Sequence, residues 1–451
     1  MPVSSWDQTF SPDMRSFITS RIHPALTTTR ALQLFQLMRQ GAVIGTSILL
    51  AKSGLRTADI GVYEMLLYIG TIWTFFWVNG LLQAMTPVFS KLGPEDRKVF
   101  IFNNFLIFCG IALLLFTVLL TGQKYLVPAL TGLPEVPFFG MFCLFLLFNL
   151  PSYPVEYIFL LHKKPWHIAF WGMATFGLQV LAVFVPVWLG YGLGASMACL
   201  ATLAAGKWLF TAGVVARYGR WQIRRAIIRQ YLTFAWPLIL NVLIGNFVLM
   251  FDFWLVGWWY RDEAVFAVFR YGARELPLAQ ALATALGVAL IPRLTEDLSA
   301  GLADMKAMTR KLFHILFPVT ILFLALSKPL FPLVFNPDFT ASAPIFNIYL
   351  LLTASRVLLP NSILLSKNEP QVILWVGLLE LFVKIVLGFL FIYYWGLTGV
   401  AWSAVLAFWV EKLGLMYYLQ KRHGIRVADW LDQRWYFGYV ALMMAGYWLV
   451  G

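Results

Sequence analysis

Charge is scarce in this sequence. Asp, Glu, Lys and Arg supply 12% of the 451 residues, about half the share of a soluble domain, while 60% are hydrophobic. This leaves no room for a sizeable soluble domain. The three cysteines, Cys109, Cys143 and Cys199, each fall in an apolar stretch and form neither a CxxC pair nor a metal-type cluster. They read as small apolar fillers. There is no Gly-rich loop ending in Gly-Lys-Ser/Thr, hence no Walker-type nucleotide site, and neither an HExxH motif nor a nucleophile elbow. No catalytic residue, metal or cofactor is expected, apart from a coupling ion, H+ or Na+. The first 30 residues hold no apolar run, which argues against a cleavable signal peptide and for an N-terminus left in the cytoplasm.

What the sequence does have is apolar blocks. They lie near 31–51, 61–89, 97–121, 136–161, 166–189, 191–216, 232–257, 265–292, 310–335, 341–366, 370–394 and 396–419. Each is long enough for the roughly 20 residues of a transmembrane helix. The expected fold is all-α: a polytopic membrane protein of about twelve spans in two parallel six-helix lobes. A short last stretch, Trp435 to Gly451, is either a thirteenth span or an interfacial helix. The expected division is a cytoplasmic segment at 1–30, an N-lobe at 31–216, a basic linker at 217–231, a C-lobe at 232–420, and a C-terminal segment with a short apolar helix at 421–451.

Loop charge sets the orientation. With the N-terminus inside, the inner loops carry 22 Lys and Arg, and the outer loops carry five: Lys52, Arg56, Lys124, Arg261 and Lys328. That is the positive-inside bias of short loops. The net charge of +13 is therefore topology, and no folded basic domain exists that would suit nucleic acid.

The linker, with five Arg, separates six spans from six. A shift of 205 residues superposes the halves: Pro87 on Pro292, Pro165 on Pro370, Gly194 on Gly399, Lys207 on Lys412, Arg217 on Arg422 and Gly219 on Gly424. An even number of spans per half makes this a parallel repeat, with the substrate expected between the halves.

Seven cations fall inside spans, where each costs roughly 2.5–3.5 kcal/mol at the bilayer centre. Lys207 and Lys412 stand toward the cytoplasmic ends of spans 6 and 12 and can snorkel to the headgroups. Glu380 and Lys384 are spaced i,i+4 and can neutralise each other, or couple an ion. Arg270 and Arg274 stand one turn apart on span 8 and share a face. Together with Arg39 on span 1, and with Arg356, they are candidates to bind a phosphate-bearing substrate, because the guanidinium fork suits phosphate oxygens. The alternative is a set of interhelical salt bridges with Glu64, Glu156, Asp252 and Glu275. Of these acids, Glu64, Asp252 and Glu275 join Glu380 and Lys384 as ion-coupling candidates.

Several stretches resemble one family. Lys328 to Leu352, KPLFPLVFNPDFTASAPIFNIYLLL, resembles the span 9–10 region of lipid-linked oligosaccharide flippases of the polysaccharide and O-antigen type. These belong to the multidrug/oligosaccharidyl-lipid/polysaccharide exporter superfamily. Phe266 to Leu294 resembles their span 8, Ile60-Gly61-Val62-Tyr63 the start of span 2, and Gly396-Leu397-Thr398-Gly399-Val400-Ala401 the turn between spans 11 and 12. The resemblance implies two V-shaped lobes with alternating access. It implies that an isoprenoid-diphosphate oligosaccharide is flipped across the bacterial inner membrane for surface polysaccharide assembly. The implied partners are that lipid-linked glycan, the bilayer and other glycan-assembly proteins. Arg39, Arg270 and Arg274 match the cationic residues of such flippases, whereas span 2 departs by carrying Glu64 and no basic residue. The competing readings are an ion-coupled multidrug exporter of the same superfamily and a major-facilitator transporter. The latter's loop signature is not matched by Lys91 to Lys98.

Overall fold

The computed structural model describes residues 26–450; residue 451 and residues 1–25, most of the expected cytoplasmic N-terminal segment, lie outside it. The helices are α1 (Thr28–Lys52), α2 (Thr57–Lys91), α3 (Pro94–Thr131), α4 (Phe139–Asn149), α5 (Val155–Leu161), α6 (Pro165–Trp188), α7 (Gly192–Tyr218), α8 (Arg225–Tyr260), α9 (Glu263–Gly272), α10 (Pro277–Glu296), α11 (Leu298–Val334), α12 (Ser342–Leu350), α13 (Leu352–Arg356), α14 (Pro360–Ser366), α15 (Pro370–His423), α16 (Val427–Trp430) and α17 (Gln433–Val450). Among the described residues, ten helical stretches are long and apolar enough to cross a membrane. The 54-residue α15 is two of the expected spans, because Gly396 sits inside it at φ 59°, ψ −137°. That left-handed backbone is open to glycine and explains the Gly-Leu-Thr-Gly turn. The pair α9 and α10 forms the remaining expected span, number 8. Leu114, Phe170, Trp375 and Phe382 are each more than 60% exposed, a surface suited to lipid rather than water.

The helix α17 runs alongside α11 and in the same direction. Tyr439 stacks on Phe317 with ring centroids 5.3 Å apart and meets His314, while Gly446 reaches Ile321. An interfacial helix would cross α11 rather than follow it. Its 18 residues span about 27 Å, close to the hydrocarbon thickness. It is not, however, one of the ten stretches long and apolar enough to cross a membrane.

The 205-residue repeat has a structural counterpart. Lys163 and Asn368, one repeat apart, both take positive φ (53° and 58°) just before the helix-opening prolines Pro165 and Pro370. Spans 4 and 10 are both broken, and the segment after each break, Val155–Leu161 and Pro360–Ser366, is again one repeat apart.

The described chain forms two compact units. Unit 1 takes in the chain up to Gly54, Trp73–Gln123 and Phe138–Leu243; unit 2 takes in Leu55–Ile72, Lys124–Pro137 and Ile244 onward. In unit 1, α6 packs on α1 and α7, and α7 packs on α4. Trp171 stacks on Phe210 at 4.8 Å. The buried Tyr231 of α8 donates to the Leu81 carbonyl at 2.7 Å and accepts from Asn104 at 3.0 Å. The basic linker is strapped to the start of α3. Arg220 N–H donates to the Lys98 carbonyl, Asn103 donates to the Gln222 carbonyl, and Arg220 and Arg224 pair with Glu95 and Asp96.

In unit 2, the segment Asn336-Pro337-Asp338-Phe339 holds the end of α9. Asn336 accepts from the Asp338 amide at 2.9 Å, and Asp338 accepts from the Thr57 hydroxyl at 2.7 Å. Phe339 stacks on Tyr271 with centroids 4.5 Å apart. Ser342 donates to the Val268 carbonyl at 2.7 Å, and a Cβ on Gly272 would collide with the Ser342 carbonyl. Likewise a Cβ on Gly61 would overlap the Glu263 carbonyl, so glycine there lets α2 lie directly against α9.

Candidate functional site: a buried charge network

Span 8 is not one helix. α9 ends at Gly272, Ala273 leaves helical geometry at ψ 55°, Leu276 is extended at ψ 113°, and α10 starts at Pro277. Arg270 is therefore in the last turn of α9, while Arg274 and Glu275 lie in the break. The two arginines do not share a helix face, contrary to their one-turn spacing. Irregular backbone at membrane depth occurs where it is enclosed by protein or lines a cavity, and here every residue of the break carries or adjoins a charge.

Arg270 meets Glu64 of α2 through a single contact of 3.4 Å from Nε to Oε2. Its guanidinium lies 4.2 Å from the Phe253 ring, an attraction worth about 0.5–2 kcal/mol. The Arg270 side chain keeps 20% exposure and Glu64 keeps 3%. Arg274 lies over the Tyr271 ring at 5.0 Å.

Arg356 closes α13, at the break in span 10. Its Nε and Nη2 donate to both oxygens of Glu275, at 2.8 and 2.6 Å, and it lies 4.1 Å from the Phe408 ring. The two broken spans are thus joined at their breaks by a bidentate ion pair, the strong form of such contacts. Geometry separates the arginines: Arg356 is committed to Glu275, whereas Arg270 holds its partner by one long contact.

Asp252 of α8 and Lys384 of α15 form a third pair, at 3.0 Å. Lys384 also donates to the Val248 carbonyl at 2.6 Å, and the Tyr349 hydroxyl donates to Asp252 at 2.7 Å. The i,i+4 pairing with Glu380 does not form: Lys384 turns to Asp252 instead. Glu380 is 6% exposed, and its Oε1 finds no hydrogen-bond partner among the described residues. Electrostatically it faces Glu411, Lys384, Lys412 and Arg356.

The two repeat-related lysines do not snorkel. Lys412, 6% exposed, lies 3.0 Å from Glu411, which accepts from Asn361 at 3.4 Å. In unit 1, Lys207 donates to Asn149 at 2.5 Å and, with Arg39, faces Glu156, which is 3% exposed. Glu156 and Asn361 are one repeat apart, as are Lys207 and Lys412, so each unit sets the same two positions near one another. Arg39 is exposed and belongs to unit 1; Arg270, Arg274 and Arg356 belong to unit 2. Asn149, Tyr349 and Asn361 were not foreseen from sequence. The repeat offset from Glu156 would have pointed to Asn361, and no sequence signal singles out Tyr349.

Comparison with known proteins agrees with this architecture. No curated protein sequence is significantly similar to the chain. Among solved structures, the lipid II flippase MurJ in an inward closed conformation superposes with a TM-score of 0.65 at 13% identity, over 92% of this chain and 97% of that one. A MATE transporter of Vibrio cholerae gives 0.55 at 15%, over 91% and 99%. A MOP superfamily transporter from Pyrococcus furiosus gives 0.56 at 13%, over 88% and 96%. At such identities the likeness is one of fold. The sequence itself matches one family over residues 99–451, most of its length, and on that ground the chain belongs to the family of the lipid II flippase MurJ.

Proposed function

We propose that the protein flips an isoprenoid-diphosphate-linked glycan from the cytoplasmic to the outer leaflet of the bacterial inner membrane by alternating access, N-terminus inside, for assembly of a cell-surface glycan polymer. The family's name, given for a lipid II flippase, and the resemblance of Lys328–Leu352 to oligosaccharide flippases both support a lipid-linked saccharide. The observation that carries the site assignment is the contrast between the two arginine pairs. Arg270 has one 3.4 Å contact and 20% exposure, which leaves guanidinium N–H donors for a phosphate. Arg356 has spent its fork on Glu275. Within unit 2, Arg270 is therefore the diphosphate reader, with Arg274 in the adjoining break, and Arg356 holds the site together.

The test is a mass-spectrometric profile of lipid-linked glycans in a deletion strain, complemented by wild type or by Arg270→Met. Accumulation of an isoprenoid-diphosphate glycan in the deletion and in Arg270→Met, at normal protein level, supports the assignment. Normal export by Arg270→Met overturns it. A second reading, an ion-coupled multidrug exporter, draws on the MATE relatives and on the buried acids Asp252, Glu380, Glu64 and Glu275. Against it, the Lys384 ammonium already sits on Asp252, where a coupling cation would bind. An unchanged glycan profile with raised drug sensitivity would favour this second reading.

A further inference from the structure

Within unit 1, a cavity of about 820 Å³ opens between the end of α2 and the first turns of α8, lined by Val88, Lys91, Arg229, Phe234, Pro237 and Leu238 among others. Its walls are apolar and its two charges are both positive. Lys91 lies 5.7 Å from the Phe234 ring centroid, leaning over the apolar wall. The acids nearby in sequence are taken: Glu95 pairs with Lys98 and Arg220, and Asp96 pairs with Arg224. Among the described residues, no carboxylate lies within ion-pair distance of Lys91 or Arg229. Pro237 has no amide hydrogen, so the Thr233 carbonyl on the cavity wall loses its helical partner and adds a polar point beside the cations.

We propose that this cavity binds one anionic phospholipid, its phosphodiester held between Lys91 and Arg229 and an acyl chain lying against Val88, Phe234, Pro237 and Leu238. Basic pockets between transmembrane helices recognise anionic headgroups in this way. The lining argues for a bilayer lipid over the glycan substrate. Gln230 and Thr233 are its only uncharged polar side chains, too few to hydrogen-bond a saccharide. Its lining belongs to unit 1, whereas Arg270 and Glu64 belong to unit 2, and the inference does not rest on the flipping assignment.

The experiment compares native mass spectra of the full chain released from nanodiscs of phosphatidylcholine doped with phosphatidylglycerol. Wild type is set beside Lys91→Gln/Arg229→Gln and its two single variants, with Lys124→Gln on another exposed lysine as the charge control for each single variant. All the substituted side chains are exposed, and equal size-exclusion profiles check that the fold is kept. Each basic residue contributes about fivefold in affinity for an anionic lipid, so the double variant should bind phosphatidylglycerol about thirtyfold more weakly, with Lys124→Gln like wild type. Equal retention by the double variant overturns the proposal. So does binding of farnesyl diphosphate, but not phosphatidylglycerol, that depends on Lys91 and Arg229.

Discussion

Removing Arg356 should destabilise the protein, and removing Glu275 with it should largely restore stability. The fork makes contacts of 2.6 and 2.8 Å to a carboxylate, and the two side chains are 18% and 17% exposed. Two unit charges about 4 Å apart attract by about 4 kcal/mol at an effective dielectric of 20. Breaking a buried pair from one side costs about 3–5 kcal/mol, because the surviving charge is left uncompensated. For a chain of this length, an unfolding entropy of about 2.1 cal/mol/K per residue converts 1 kcal/mol into about 1 °C. Arg356→Met should therefore lower Tm by about 3–5 °C. Arg356→Met/Glu275→Gln should return to near the wild-type value, since replacing a whole buried pair is close to neutral. The assay is thermal unfolding in detergent followed with a thiol-reactive fluorophore, which reports when buried Cys143 becomes accessible. A single variant as stable as wild type, or a double variant as unstable as the single, would refute the idea that this pair clasps the breaks of spans 8 and 10.

Three further outcomes are expected. Lys384→Met leaves Asp252 buried without its ammonium and should cost about 3–5 kcal/mol; adding Asp252→Asn should recover most of it, and failure to recover would mean that Lys384 matters for packing alone. Gly61→Ala places a methyl on the Glu263 carbonyl and should lower both Tm and flipping by pushing α2 from α9, whereas an alanine variant with wild-type behaviour would show that the approach is not needed. At the turn between spans 10 and 11, the hydrogen bond from His423 and the nearby Arg422 hold the Glu369 carboxyl below its ordinary range. A lowered carboxyl pKa stabilises above the unfolded value and stops doing so as pH falls through the folded one. The Tm gap between wild type and Glu369→Gln should then stay open above about pH 4.3 and close below it; a gap still open in acid would show that the carboxylate is not its source.

The apolar blocks of the sequence carry most of this fold, because lipid leaves a helix no alternative way to satisfy its backbone. The repeat was legible through Pro165 and Pro370, which open equivalent helices in the structure. The break in span 8 was legible only at its far edge, where Pro277, a helix breaker within the span, opens α10. Gly272 to Leu276 contains no proline, and what ends α9 is the packing of Tyr271 on Phe339 and of Gly272 on Ser342, residues some 70 positions later in the chain. The charge pairs were legible as types but not as partners. Glu380 and Lys384 have the right spacing on one helix, yet Lys384 gains two buried oxygens by turning to α8. Spacing along one helix cannot register a better partner on another.

Pairing alone explains how so many charges enter a membrane, but it does not explain why they are kept, since apolar residues of equal volume would serve stability as well or better. The geometry of the pairs supplies a reason. Glu275–Arg356 is short and bidentate, as suits charges that hold discontinuous helices in register, and Asp252–Lys384 is short and braced by Val248 and Tyr349. Arg270 meets Glu64 by one long contact, which the proposed role of Arg270 in binding a phosphate requires. The contrast follows the asymmetry between the halves. Spans 4 and 10 break at equivalent positions, whereas span 8 is broken and its repeat counterpart, span 2, is continuous. The continuous helix brings the acid and the broken one brings the base. Arg270 therefore stands at the broken end of α9, and Glu64 stands on a helix that runs unbroken from Thr57 to Lys91.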